Sequence, residues 1–489
     1  MAIWGISALS HDASITVIDG KDILFAGHSE RYSKQKNDKL LNQLIVSEAL
    51  KHGAPDEIVW FEKPFAKKAR QVAAGEWAEA YSNWPKKHLS EFGLKAPTAY
   101  VEHHKSHAAG GYFTSGFSDA SILVCDAIGE WATTTVWSVN GKDFTKQFEQ
   151  KYPHSIGLFY SAMTHRVGLK PSEEEYILMG MAAYGKPRYV EQIKRDLIDI
   201  SSAPHFECKR NLHLGCMDWL QHDIVTEQDT FDLAASAQAI VEEYLLGTTK
   251  WMAKNLPSRN LVLSGGVALN CVANSKIAEQ KLFNDIWIMP NPGDAGSSLG
   301  AAAYWKKEQL NWQGPYLGTN IDRRFNIDGI LSELAVSKIA AIANGRAEFG
   351  PRALGNRSLI ADPRGKDIKD RVNDIKRRQR FRPFAPMILE QFAHEYFDLP
   401  VSASPYMQFT AQCKFPNEFP AICHHDGSAR VQTVNEKDNP KVFALLSEFY
   451  RQTGCPILLN TSLNIKGQPL VDTWTDAQLF SAKYGVLVF

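Results

Sequence analysis

Residues 101–111, VEHHKSHAAGG, put three histidines within five positions among small neighbours. His103 and His107 are four apart, which on a helix places both imidazoles on one face, one turn apart. His104 and His107 would serve nearly as well, so the register stays open at this level. Two such nitrogens with a carboxylate form an open site for a divalent metal ion. Asp294, in the run PGDAGSS that follows an apolar stretch, is the expected third ligand beside His103 and His107. The competing reading is a surface helix with chance histidines; glycine and acidic motifs on both sides favour the site.

Those motifs lie at strand ends. The apolar run 121–126 closes on Asp126 and continues through Gly129 to Glu130. An acid at the end of a buried strand, with glycine just beyond, is a usual contact for phosphate or Mg²⁺. A second buried run ends in Gly265-Gly266 and enters a helix carrying Asn270 and Asn274. Backbone approaches a ligand closely at such glycines, and the helix start favours an anion. The two asparagines are placed to read a ribose or a base. Ser10-His11-Asp12-Ala13-Ser14 is a polar turn that offers backbone N–H groups and hydroxyls.

A different chemistry appears near the other end. Residues 345–364 and 371–386 carry Arg346, Arg352, Arg357, Lys376 and Arg382 among glycines and prolines. Arginines on short stiff loops suit bidentate binding of phosphate or carboxylate. Further polar loops follow apolar runs at 426–432 and 459–464, the latter with Asn460 and Ser462.

The elements that must position these groups are read from apolar runs. Strands are expected at 2–7, 13–18, 23–26, 121–126, 136–139, 261–264, 286–289 and 485–489. Helices are expected at 42–52, 69–92 and 231–255, and in pieces within 153–187. The charged stretch 30–38 reads as a solvated face, and 314–326 as a linker. Strand pairs joined by a phosphate-binding turn occur twice, which suggests a duplicated nucleotide-binding fold.

The 489 residues exceed one ordinary core, and two domains are expected, 1–320 and 321–489. Lys+Arg and Asp+Glu are both 54, so no whole-chain basic signature points to nucleic acid. No run is long and apolar enough to span a membrane, and no signal peptide is read at the N-terminus. Seven scattered cysteines without a CxxC pair point to a reducing, cytoplasmic setting and away from a cysteine zinc site.

Taken in order, GISALSHDAS, SERYSKQKND, EHHKSHAA, DAIGEWATTT, LSGGVALN, NPGDAGSSLGAA, GRAEFGPRALGNRS, FRPFAP, DGSARVQTV and LNTSLNIKGQP resemble the NodU/CmcH-type O-carbamoyltransferases. The resemblance implies an α/β chain: an N-terminal actin/hexokinase-like duplicated fold, then a C-terminal α/β domain like the synthase of threonylcarbamoyl-AMP. It implies that carbamoyl phosphate and ATP give carbamoyl-adenylate in the C-terminal domain. The carbamoyl group then moves to an acceptor hydroxyl in the N-terminal domain. Arg346, Arg352, Lys376 and Arg382 would neutralise the phosphates, with Asn460 and Ser462 near the same pocket. His103, His107 and Asp294 would hold Fe²⁺ or a similar ion, with Mg²⁺ accompanying ATP. Asp126, Glu130, Gly265, Gly266 and Asn270 would hold the nucleotide, and His11 would act as general base. Ala127 and Ile177 depart from the family pattern, where glycine and lysine are expected.

The rival class is a nucleotide-binding regulatory module without chemistry, which the intact motifs in both domains disfavour. A sugar kinase would leave the C-terminal arginine loops unexplained. The acceptor is expected to be 5-hydroxymethylcytosine in DNA, with Trp77, Trp84 and Trp131 available to stack on a base. A small-molecule alcohol is its rival.

Overall fold

The protein is described by a computed structural model covering residues 1–82 and 84–489. Five strands open the chain: β1 (Ala2–Ser7), β2 (Ser14–Asp19), β3 (Asp22–His28), β4 (Glu57–Trp60) and β5 (Ala99–Tyr100). They form one sheet in the order β3-β2-β1-β4-β5. β1 pairs antiparallel with β2 and parallel with β4, and β4 pairs parallel with β5. A second set follows: β6 (Asp119–Cys125), β7 (Ala132–Asn140), β8 (Asp143–Lys151), β9 (Asn260–Ser264) and β10 (Asp285–Ile288). Its order is β10-β9-β6-β7-β8. β6 is antiparallel to β7 and parallel to β9, and β9 is parallel to β10. The two sheets therefore share one topology, strand for strand, which is the duplicated actin/hexokinase-like fold. β1, β2 and β6 are buried along nearly their whole length, as strands covered on both faces must be.

The helices that matter are α1 (Pro64–Ala73), α2 (His103–Ser115), α3 (Glu227–Asn255), α4 (Cys271–Glu279) and α5 (Ser297–Lys306). α3 begins with a capping box in which Thr226 and Asp229 bond each other's backbone. α2 lies against α5 at glycine: a Cβ on Gly300 would fall 1.8 Å from the Ser106 carbonyl oxygen. That approach brings the start of α5 to the first turns of α2.

A third sheet holds β11 (Ile339–Ala343), β12 (Arg357–Ala361), β13 (Ala385–Leu389), β14 (Gln432–Val434) and β15 (Ile457–Ser462), in the order β11-β12-β15-β13-β14. All pairs are antiparallel except β13 with β14. Its core includes Ile342, Ile360, Ile388, Leu446 and Ile457. Helix α6 (Ile368–Lys376) precedes β13.

The chain divides into two compact units, Met1–Leu24 with Lys39–Trp312, and Phe25–Asp38 with Gln313–Phe489. The sequence suggests one boundary near 320; the structure adds an early exchange, within β3 and after Asp38. The charged stretch 30–38 is therefore a solvated face only in part, with Lys34, Gln35 and Lys36 exposed. Glu30 and Arg31 are buried, and the Arg31 guanidinium donates to the carbonyls of Glu348 and Gly350.

Three other expectations need correction. Residues 69–92 do not make one helix; helices at Pro64–Ala73, Trp77–Tyr81 and Pro85–Ser90 replace it, broken at Gly75 and restarted by Pro85. The expected linker contains a strand, Tyr316–Ile321, paired with Gly345–Glu348. The last five residues form no strand; they run beside β11 through three backbone hydrogen bonds and one isolated bridge. Among the described residues, no helix is long and apolar enough to cross a membrane.

Candidate functional site

The histidine helix starts at the site itself. His103 is the first residue of α2, and its N–H donates to the Glu130 carboxylate at 3.0 and 3.2 Å. Lys63 N–H donates to the same carboxylate at 2.7 Å. An acid at a helix N-terminus satisfies orphan donors and complements the helix dipole. Glu130, expected to hold a nucleotide, thus serves as the cap that fixes His103.

The register left open by the sequence resolves to His103 and His107. Their Nε2 atoms are 3.0 Å apart. His104 points elsewhere, with Nδ1 3.0 Å from Thr135 Oγ1, and burial pushes it well below the usual histidine range. Asp294 closes on the pair, Oδ1 lying 3.4 Å from each Nε2. Asp126 Oδ2 joins them at 3.2 Å from His103 and 3.0 Å from His107. These four ligand atoms lie within 4.8 Å of one another. Asp126, expected as a nucleotide contact, stands instead in a four-residue group. The signal was present, an acid ending a buried strand, but the side to which it points is set by tertiary structure.

Burial opposes charge at all four groups, and the opposite charges outweigh it. Asp294 and Asp126 raise His103 and His107 despite their desolvation. Burial alone would raise the two carboxyls. His103 and His107 instead hold Asp126 well below the carboxylate range and Asp294 at about 2. Two nitrogens and two carboxylate oxygens converging on one point match the donor set of a divalent transition metal ion. The outer ring of contacts fits as well. His107 Nδ1 lies 3.0 Å from the Pro292 carbonyl, which leaves Nε2 free to act as a ligand. Glu62, which sequence reading missed, has Oε2 4.0 Å from His103 Nδ1 and is itself bonded by Lys67 Nζ at 2.8 Å.

The glycines serve the same corner. Gly265 has φ +86, and a Cβ there would fall 2.1 Å from the Cys125 carbonyl oxygen. Gly266 would place a Cβ 3.1 Å from Asp126 Oδ1. Asn270 is not open to a ribose. It caps α4 through Ala273 N–H at 3.1 Å and exchanges hydrogen bonds with Gln238. Ile177, where lysine was expected, is buried. His11 Nδ1 pairs with Asp12 at 3.0 Å. Burial lowers its pKa, but Asp12, then Asp294 and Asp126, carry it to about 9. Of the tryptophans considered for base stacking, Trp77 already stacks on Tyr81 and Trp84 packs against Phe65. Trp131 is half-buried.

In the second unit Lys376 ends α6, 4% exposed, and donates to Ser462 Oγ at 3.0 Å and Asn464 Oδ1 at 2.6 Å. Burial first, then the charges of Arg378 and Arg382, press it well below the usual lysine range. Lys376 thus meets Ser462 and Asn464, with the charges of Arg378 and Arg382 near enough to act on it. A buried lysine with two arginine charges close by suits an anion. Arg352 sits in the loop whose next residue, Ala353, accepts a hydrogen bond from Asn460 at 3.1 Å. Arg346 is engaged otherwise, its guanidinium donating to the carbonyls of Leu317 and Gly318. Arg357 is wholly buried and donates to backbone carbonyls of Asp472, Thr319, Asn344, Gly345 and Asn356; it is a strut of the fold.

Comparison with known proteins shows the family. Residues 61–303 match the family model of the carbamoyltransferase N-terminus, and 331–488 that of the carbamoyltransferase C-terminus. An uncharacterized protein of Synechocystis sp. is 33% identical, covering 97% of this chain and 93% of its own. Nodulation protein NolO of Bradyrhizobium diazoefficiens is 33% identical over 77% of this chain and 75% of its own. Nodulation protein U of Rhizobium fredii is 39% identical over 45% and 41%. A solved activator of 2-hydroxyisocaproyl-CoA dehydratase from Clostridium difficile aligns at TM-score 0.35 and 14% identity, covering 63% of this chain and 94% of its own. That score is too low to weigh beside the matched strand orders. The chain belongs to the NodU/CmcH-type carbamoyltransferase family and is a carbamoyltransferase.

Proposed function

We propose that the chain makes carbamoyl-adenylate from carbamoyl phosphate and ATP, and transfers the carbamoyl group to the hydroxyl of a small-molecule alcohol. The observation that carries this reading is the convergence of His103, His107, Asp126 and Asp294 in a carbamoyltransferase. Carbamoyl phosphate is hydrolysed to carbamate and phosphate. A carbamate oxygen attacks the α-phosphorus of ATP, and pyrophosphate leaves. The acceptor hydroxyl then attacks the carbamoyl carbon, and AMP leaves.

The second unit suits the first two steps. Lys376, Arg352 and Arg382 neutralise the anions and the pyrophosphate leaving group. Ser462 and Asn464 fix the lysine ammonium. The first unit suits the transfer. Gly265 and Gly266 let backbone approach the nucleotide, and His11 takes the hydroxyl proton at a ring nitrogen. A divalent ion held by the four convergent residues, Fe²⁺ by family resemblance, would supply positive charge for the adenylate phosphate and polarise the carbonyl. Mg²⁺ would accompany ATP.

The nodulation relatives favour a small-molecule acceptor over 5-hydroxymethylcytosine in DNA. The experiment is mass spectrometry of a panel of sugars, aminoglycosides, nucleosides and hydroxymethylcytosine DNA, incubated with enzyme, ATP, carbamoyl phosphate and Fe²⁺. Gain of one carbamoyl group on a small alcohol supports the proposal, and gain only on DNA replaces the acceptor. Absence of pyrophosphate release that needs both ATP and carbamoyl phosphate overturns the chemistry.

A further inference from the structure

Beside the metal-binding group lies a cavity of about 260 Å³ within the first unit. His11 and Glu62 are among its lining residues, and Glu62 is the residue 4.0 Å from His103. One face of α1 contributes Lys67, Lys68 and Gln71 at helical spacing, and Lys39 also lines the cavity. The size is below the roughly 300–1,000 Å³ of a drug-sized site, so it suits a compact polar ligand.

The charges in this cavity are unevenly matched. Lys67 is paired with Glu62 at 2.8 Å, and Arg70 donates twice to Glu76. His11 is paired with Asp12. That leaves two ammonium groups. Lys68 is held by the carbonyls of Glu79 and Ser82 and lies 5.6 Å over the Trp84 ring. Lys39 is exposed and makes no ion pair among the described residues, nor does Lys68. Against them stands one exposed carboxylate, Glu79. Lys68 is aimed by two fixed carbonyls and feels only Glu79 and the already paired Glu62, so the two ammonium groups outnumber the unpaired carboxylate and favour an anion supplied from outside.

We propose that this cavity takes the carbamoyl acceptor, and that the acceptor is an alcohol bearing an anionic group, a phosphate monoester or a carboxylate. Its anion lies between Lys39 and Lys68. Its hydroxyl lies at His11, next to the metal-binding group. Lys39 and Lys68 then set specificity for charge, while His11 acts on the hydroxyl. The assignment rests on the carbamoyl transfer proposed above.

The test uses the full chain with its divalent ion. Matched alcohols are offered as neutral and anionic partners: glycerol, glycerol 3-phosphate and glycerate; glucose and glucose 6-phosphate; hydroxymethyldeoxycytidine and its monophosphate. Acetylation of each lysine by an N-hydroxysuccinimide ester is read by mass spectrometry, which needs no turnover. Anionic members protect Lys39 and Lys68; neutral ones do not. Carbamoylation favours the anionic member by about tenfold in kcat/KM, the size of one partly screened charge pair. That ratio collapses in the Lys39→Gln, Lys68→Gln double variant. The phosphate and carboxylate members tell the two anions apart. If no anionic alcohol protects the two lysines, or if ATP alone protects them as well, the proposal is overturned. Equal turnover of neutral and anionic partners also overturns it. Failure of the underlying transfer chemistry shows separately, as loss of pyrophosphate release in the unaltered protein.

Discussion

His103 and Asp126 meet at 3.2 Å between Nε2 and Oδ2, though one opens a helix and the other follows a strand, 23 residues on. His107 meets the same oxygen at 3.0 Å. Asp126 is thus as central to the group as Asp294. The chain should bind one divalent ion, and Asp126→Asn and His107→Ala should each lose it. Elemental analysis after dialysis checks this. Retention of a full equivalent by both variants would remove the metal assignment. Carbamoyl transfer should stop in a chelator and return when the ion is restored.

Glu62 Oε2 lies 4.0 Å from His103 Nδ1, beyond hydrogen-bond reach, and is the carboxylate that would stand behind this imidazole if Nε2 held a metal ion. Partners of this kind change metal affinity by about 10–100-fold when altered. Glu62→Gln keeps the shape and removes the charge. Its divalent-ion affinity, measured by competition with a chelating dye, should fall by that amount while the protein stays folded. An unchanged affinity would leave Glu62 as a partner of Lys67 only.

The pH profile of transfer tests His11. With its pKa raised to about 9, the imidazole is mostly protonated at neutral pH. Only the neutral ring can accept the hydroxyl proton, so the rate should climb about tenfold per unit from pH 7 and level near 9. Removing the raising charge moves the profile the other way. Asp12 has φ 43, a backbone that asparagine also tolerates, so Asp12→Asn should fold and shift the rise to lower pH. A profile that does not move with Asp12 assigns the proton to another group.

Two buried cations of the second unit should separate chemistry from stability. Lys376→Met should reduce pyrophosphate release by about 10²–10³-fold, the usual cost of losing one preorganised donor. Lys376→Arg should not rescue it, because the fork does not reproduce the ammonium's contacts with Ser462 and Asn464. Arg357→Met leaves several carbonyls without a donor and should cost about 3–5 kcal/mol of stability. Denaturant unfolding checks it. A stable Arg357→Met chain would contradict its reading as a strut.

Gly265 joins a left-handed backbone to a close approach. Gly265→Ala should lower stability by about 2–5 kcal/mol, from the strained φ and the overlap with the Cys125 carbonyl. Gly454→Ala is the control: its φ is +69, but a Cβ there meets nothing within 4 Å. The difference between the two in thermal unfolding isolates the clash.

Much of this fold is legible in the sequence where apolar runs are short and bounded. β1 falls at its expected residues, and β2, β3, β6, β9 and β10 within a few. Residues 69–92 fail because an aromatic, loosely periodic stretch looks continuous until Gly75 and Pro85 act on the backbone. Glu30 and Arg31 fail for the opposite reason: a charge run reads as solvated unless its partners, here the carbonyls of Glu348 and Gly350, are known. At the site, four-residue spacing points to His103 and His107, but nothing local ranks that pair above His104 and His107. Only the Thr135 hydroxyl that holds His104 decides it. Arg357 shows the limit for charged residues, since its neighbours Arg352 and Arg346 look the same in a string of letters.

The early exchange at 25–38 means that one cut cannot separate this protein into its two halves. A fragment beginning at Gln313 would lack Arg31, whose guanidinium holds the carbonyls of Glu348 and Gly350. A fragment ending at Trp312 would carry Glu30 and Arg31 without the unit in which they are buried. Each half is made of two pieces of chain, so neither is a cassette that recombination could move by a single splice. Grafting a foreign second half onto this one would require replacing residues near the N-terminus as well.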